Sequence, residues 1–233
     1  MIAQNLVRLK EKIEKACNRF GRKPDEVKLI AVSKYFGVDA IIEAKNCGLT
    51  DFGENRAQEL TLKYERLSDS VIWHFIGTLQ KNKVKYAVKA ADLIHSVDSL
   101  ELVEEINHRA ENLGKQQKIL LEVKTSEEET KSGLETENEI LSLVKRCSEL
   151  KSIELKGLMT MAPLTEDANI IRKSFRDLFN LKDRINNKGY NLTELSMGMT
   201  SDFEIAIEEG ATMIRIGSAI FGDRDYSKDW RQI

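Results

Sequence analysis

Only two prolines, Pro24 and Pro163, interrupt 233 residues, and neither lies in a Pro- or Ser-rich tract. No linker between separately folding halves is expected, so the chain reads as one domain over residues 1–233. Cysteine is scarce as well. Cys17, Cys47 and Cys147 are odd in number, far apart and without C-x-x-C spacing, which reads as free thiols in a reducing compartment. The three histidines, His74, His95 and His108, are scattered without the helical spacing of a metal site, so no structural metal is expected. No apolar run approaches the ~20 residues of a membrane span. The opening M-I-A-Q-N-L-V-R-L-K-E-K carries charge too early for a secretory signal. Neither sign of charge dominates: 36 basic and 38 acidic residues leave −2, which gives no electrostatic footprint for nucleic acid or an anionic membrane. These absences point to a cytoplasmic protein whose partners are compact ligands; a monomer is expected, though no residue pattern decides the oligomeric state.

What is present is a repeating alternation. Ile2, Leu6, Leu9, Ile13, Cys17 and Phe20 recur at helical spacing, so residues 1–20 form an amphipathic helix that Gly21 and Pro24 end. Strands are expected at Val27–Lys34, Asp51–Asn55, Ile72–Gly77, Leu93–Val97, Ile119–Lys124, Leu155–Met161, Glu194–Met199 and Met213–Gly217. Helical patterns follow them, clearest at Leu100–Leu113, Glu137–Leu150, Ile170–Asn187 and Asp202–Glu209. Eight β–α pairs with short links predict an α/β fold: a single-domain (β/α)8 TIM-type barrel with the N-terminal helix packed outside it. An open doubly wound sheet is the other architecture with this alternation, but no G-x-G-x-x-G follows the first strand.

In such a barrel the chemistry sits at the carboxyl ends of the strands. Lys34 ends the first strand and Asn55 the second; His74 lies in the third, Lys124 ends the fifth, Thr160 and Met161 the sixth, and Arg215 lies in the eighth. Near the chain's end, Thr200 or Ser201 can cap a helix starting near Asp202, while Gly217 allows close backbone approach and Ser218 adds a hydroxyl. Loops after the last two strands are where barrels often hold a phosphate. An ordinary lysine is unprotonated in only about one molecule in a few thousand near neutral pH, so a lysine held in a pocket suggests a used amine. Pyridoxal 5′-phosphate (PLP) carries an aldehyde, a phosphate and a pyridine nitrogen that Arg215 can face. A Schiff-base aldolase acting on a sugar phosphate would use the same two parts without the cofactor's colour.

A-V-S-K at 31–34, F-G-E-N at 52–55, W-H-F-I-G-T-L-Q-K-N-K at 73–83, K-S-G at 131–133, G-L-M-T-M-A-P at 157–163, L-S-M-G-M-T-S-D at 195–202 and R-I-G-S-A-I-F-G at 215–222 run in order along the chain. With these stretches the chain resembles the pyridoxal phosphate homeostasis protein family, small relatives of the alanine racemase barrel. The resemblance implies that PLP is held as an internal aldimine on Lys34, with Asn55 near the ring and Arg215 at the pyridine nitrogen. Thr200, Gly217 and Ser218 would hold the phosphate. Thr200 stands where the family usually has serine, and Y-F-G-V after Lys34 replaces a turn that in many members contains proline. The implied role is a carrier and regulator of intracellular PLP that passes it to apoenzymes. The alternative is a weak PLP-dependent amino-acid racemase using Lys34 with Tyr35 or His74. Full-size racemases take their second acid/base from a tyrosine on a partner subunit with an extra β domain, for which the barrel leaves no room here. Lys81, Lys83 and Lys85 form a local basic cluster that reads as solvated surface.

Overall fold

The computed structural model describes residues 1–126, 128 and 132–223, so Lys131 of the K-S-G stretch lies outside the described residues. Eight parallel strands close on themselves in chain order: β1 (Lys28–Val32), β2 (Asp51–Glu54), β3 (Ile72–Phe75), β4 (Leu93–Val97), β5 (Gln117–Glu122), β6 (Ile153–Met159), β7 (Glu194–Ser196) and β8 (Met213–Ile216). Closure is made by β8 against β1, where Lys28 through Ala31 stand beside Met213 through Ile216. Around the barrel run α1 (Ile2–Arg19), α2 (Val38–Asn46), α3 (Ala57–Leu67), α4 (Val84–Ala90), α5 (Leu100–Asn112), α6 (Glu137–Glu149), α7 (Ala168–Asn186), α8 (Phe203–Glu208) and α9 (Ser218–Phe221). The (β/α)8 expectation holds.

Several strands stop earlier than their apolar runs suggest. The first ends at Val32 rather than Lys34, because the Ser33 carbonyl leaves the ladder and accepts a hydrogen bond from the Lys63 ammonium at 2.9 Å. The chain then turns through Tyr35 at φ +68°, a left-handed conformation that non-glycine residues seldom adopt. Lys34 therefore projects from a turn beyond the strand. Thr200 and Ser201 do not cap α8 either. Its N-cap is Asp202, whose carboxylate accepts the Met199 N–H at 2.6 Å, so Thr200 and Ser201 stay in the preceding turn.

Apolar side chains fill two layers. The larger lies between barrel and helices, around Phe52, Trp73, Phe75, Ile106, Phe175 and Leu121. The smaller lies inside the barrel, where Ile30, Leu93, Leu120, Met159 and Met213 meet. Alternation along the strands separates the layers: Phe52 faces the helices while its neighbour Asp51 faces inward to His74. The opening helix buries Ile2, Leu6, Leu9, Ile13, Ala16 and Cys17 and packs on α8 and α9. Asn5 donates to the Ile220 carbonyl at 3.0 Å, and Arg22, just beyond the helix, donates to the Ile207 carbonyl at 2.8 Å. The first helix thus braces the two short elements that carry Thr200 and Ser218 to the barrel mouth. Cys17 and Cys147 are buried free thiols, and Cys47 is a half-buried one.

Candidate functional site

A hollow of about 430 Å³ opens at the carboxyl ends of the strands, lined by Val32, Lys34, Asn55, Ile76, Met161, Met199, Thr200, Ser201, Arg215, Gly217 and Ser218. All six residues expected at a site from the sequence meet there. They come from the ends of β1, β2 and β8 and the loops after β7 and β8, which are far apart in the chain and adjacent only because the barrel closes.

Each is placed by an identifiable contact. Lys34 follows a turn anchored from behind by a buried cluster. The Lys63 ammonium donates to Glu54 at 2.7 Å, to Glu59 at 2.8 Å and to the Ser33 carbonyl. The Ser33 hydroxyl donates to Glu54 at 2.6 Å, and the Tyr35 N–H donates to Glu59 at 2.9 Å. Glu54, Glu59 and Lys63 are at most 2% exposed. Burial pushes the Glu54 carboxyl up to about 7, against the pull of Lys63. Asn55 is held by Gly77: any Cβ at that glycine would lie 2.2 Å from the Asn55 carbonyl oxygen, so only glycine permits the two loops to touch. Gly198, at φ +94°, seats the turn before Thr200 directly on Ala206.

Arg215 is buried, donating to the Ser196 hydroxyl at 2.6 Å and to the Thr160 carbonyl at 3.0 Å. Burial lowers its pKa to about 10, which still leaves it cationic at neutral pH. The Ser218 hydroxyl donates to that of Thr200 at 3.3 Å, so two hydroxyls face one another across the rim. Gly217 has φ −114°, an ordinary conformation, so its role does not rest on a left-handed backbone. Among the described residues lining the hollow are two cationic side chains and no carboxylate, which favours an anionic occupant. The Asn55 side-chain oxygen is buried and has no hydrogen-bond partner in the chain, the mark of a group whose partner is a ligand or a water.

Other residues singled out in the sequence lie elsewhere. His74 sits inside the barrel between Asp51 and His95 and does not line the hollow. Tyr35 turns its hydroxyl to Arg56, which donates to it at 2.7 Å, and its ring packs under that guanidinium. Lys124 lies past the end of β5, paired with Glu135 at 2.7 Å beside a separate depression. Lys83 and Lys85 flank the Tyr86 ring, with Lys81 and Lys85 exposed. The anchoring cluster is not singled out by the sequence; its faint signals are Glu54 at the end of the short strand D-F-G-E and the i, i+4 pair Glu59 and Lys63.

Residues 4–225 match the family described as alanine racemase, N-terminal domain. A protein of Aquifex aeolicus named pyridoxal phosphate homeostasis protein is 46% identical over 226 residues, covering 96% of this chain and 98% of the relative. Among solved structures, a protein of unknown function from Bifidobacterium adolescentis superposes with a TM-score of 0.89 at 36% identity, covering 94% of each chain. PipY of Synechococcus elongatus, solved with PLP bound, superposes with a TM-score of 0.84 at 37% identity, covering 95% of this chain and all of PipY. With a family model spanning nearly the whole chain and a relative this similar end to end, the chain belongs to the pyridoxal phosphate homeostasis protein family, a branch of the alanine racemase N-terminal domain fold.

Proposed function

We propose that this chain binds PLP in the mouth hollow, retains it covalently on Lys34, and serves as a carrier that limits free PLP and passes it to apoenzymes. The observation that carries this reading is the composition of the hollow. A lysine, a buried arginine, an asparagine and two rim hydroxyls converge there. The described lining residues include no histidine, tyrosine, cysteine or carboxylate that could act as a second acid or base. The names of the relatives and the PLP bound in PipY support the same ligand.

When bound, PLP supplies an aldehyde that condenses with a lysine amine, releasing one water, and a ring that withdraws electrons. The protein's own groups divide the remaining work. Thr200 and Ser218 offer hydroxyl donors to the phosphate, with Gly217 between strand and helix. Asn55 would lie near the ring, and Arg215 would face the pyridine nitrogen. A guanidinium that stays protonated has no lone pair to accept a proton and, as a cation, disfavours one on the neighbouring nitrogen. Carbanion chemistry is muted as a result. This suits retention better than racemisation, which needs a second proton-transfer group on the opposite face.

The test combines two measurements on PLP-loaded protein. Borohydride reduction followed by peptide mass spectrometry is expected to place the pyridoxyl label on Lys34. Incubation with amino acids in deuterium oxide is expected to show no Lys34-dependent Cα exchange. Label on another lysine would overturn the assignment of the hollow, and exchange that vanishes in Lys34→Ala would make the protein a racemase.

A further inference from the structure

Five buried polar side chains form one continuous line through the barrel. Asp51 Oδ1 lies 2.9 Å from His74 Nε2, His74 Nδ1 lies 2.9 Å from His95 Nε2, and His95 Nδ1 lies 2.9 Å from the Ser196 hydroxyl, which accepts from Arg215 Nη1 at 2.6 Å. They rise from β2, β3, β4, β7 and β8, and none is more than 6% exposed. One end, Asp51, borders a second hollow at the amino ends of β1 and β2; the other, Arg215, lines the mouth.

With both imidazoles neutral, donor and acceptor chemistry fixes the direction of every proton in this line. Arg215 has only donors, so Ser196 accepts from it and its single hydroxyl hydrogen is left for His95 Nδ1. A neutral His95 then carries its hydrogen on Nε2 and donates to His74 Nδ1. His74 in turn carries its hydrogen on Nε2 and donates to the Asp51 carboxylate. No other tautomer pair satisfies all four contacts with both rings neutral. Burial above all holds the His95 pKa well below the usual imidazole range.

We propose that Asp51, His74, His95 and Ser196 are positioning residues for Arg215, a one-way hydrogen-bond line through which a carboxylate at the far end orients the guanidinium facing the ligand. The inference rests on the reading of the mouth as the PLP site. The carboxylate polarises each bond in the same sense, making the Ser196 oxygen a stronger acceptor for Arg215. With both rings neutral, the line offers no extra proton at the mouth. The other charged and polar groups around it are Lys28, 3.4 Å from Asp51, Thr50, whose hydroxyl donates to Asp51 at 2.6 Å, and Glu122 and Asp202, whose charges act on Arg215.

Two experiments test the line separately from the ligand assignment. In the 15N-labelled protein without PLP, imidazole spectra are expected to show His74 and His95 both neutral with hydrogen on Nε2. Hydrogen on Nδ1 of His95, or a charged ring at neutral pH, would overturn the proposal whatever the protein binds. In PLP-loaded protein, Asp51→Asn removes the negative end and is expected to lower the pH at which the cofactor absorption band changes. The expected loss is about fivefold in proton affinity, the lower end of coupling between linked sites. Asp25→Asn, which borders the same basal hollow without joining the line, should leave that pH unchanged. Ser196→Ala cuts the line beside Arg215 and should reproduce the shift, while Ser196→Thr restores it; it decides the matter should Asp51→Asn fail to fold. Wild-type titration in folded, loaded Asp51→Asn and Ser196→Ala would refute the coupling. Absence of label on Lys34 would instead defeat the ligand reading and leave the imidazole spectra to judge the line.

Discussion

The barrel has two hollows of similar size at opposite ends, about 480 Å³ at the amino ends of β1 and β2 and about 430 Å³ at the mouth. Volume does not separate them. The charged residues lining the basal hollow are Lys10, Lys28, Glu14, Asp25 and Asp51, two cations against three carboxylates. At the mouth the described lining has two cations, two hydroxyl-bearing rim residues in contact and no carboxylate, while Glu54 and Glu59 pair with Lys63 behind β1. A ligand gains most where charge and hydrogen-bonding capacity are left over. A site is therefore identified by what its residues lack.

The largest effect that can break this comparison is at Lys34. Lys34→Ala is expected to abolish PLP retention through gel filtration, read by loss of the cofactor absorption band; full retention would move the site away from the mouth. Next comes the anchor behind it. Lys63→Met leaves Glu54 and Glu59 buried without their cation, which should cost about 3–5 kcal/mol in urea unfolding. A loss below about 1 kcal/mol, typical of an ordinary surface change, would show that the turn is held by other contacts.

The two ends also titrate in opposite senses. Burial pushes Glu122, near Arg215, up to about 7, and the charge of Asp98 adds to the rise. The folded protein binds that proton more tightly than the unfolded chain, so this contribution to stability is present below the ordinary carboxylate range and is lost as pH rises towards 7. Relative to wild type, Glu122→Gln should therefore gain up to about 3 kcal/mol between pH 4.5 and 7 in denaturation experiments. At the basal end Asp51 behaves in reverse. Burial would raise it, but hydrogen bonds from His74 and Thr50 bring it below its ordinary value, so its contribution is lost as pH falls. A flat difference curve for Glu122→Gln would remove the contrast.

A smaller effect is expected at the rim. Thr200→Ala deletes one hydroxyl beside Ser218 and should weaken PLP binding by about 1 kcal/mol, while Thr200→Ser keeps the donor and should match wild type in equilibrium titration. The smallest is at the base, where Asp25→Ala should change PLP affinity by less than about 0.5 kcal/mol. A large effect there would make the basal hollow part of the binding machinery.

Much of this was legible in the residues. Eight apolar runs alternating with amphipathic ones led to the closed barrel, and the polar residues at their ends led to the mouth, because strand and helix periodicities are local and each hydrophobic face must be buried. The strand ends were less legible. The Ser33 N–H still donates to the Gly53 carbonyl, but its own carbonyl is taken by the Phe36 N–H and by the ammonium of Lys63, thirty residues away. The same holds at the start of α8, where the N-cap position falls at Asp202 without a side-chain cap and its carboxylate reaches back to the Met199 N–H.

By itself, then, the sequence determined the fold class, the family and the six residues that meet at the mouth, since these depend on periodicity and on chemistry carried by individual side chains. Only the tertiary structure decided which polar groups inside the barrel touch. Asp51, His74, His95, Ser196 and Arg215 stand on five different strands, and nothing in their spacing along the chain records that they share one line. Closure of the barrel brings their inward faces together, and the need to satisfy buried donors and acceptors then orders their protons.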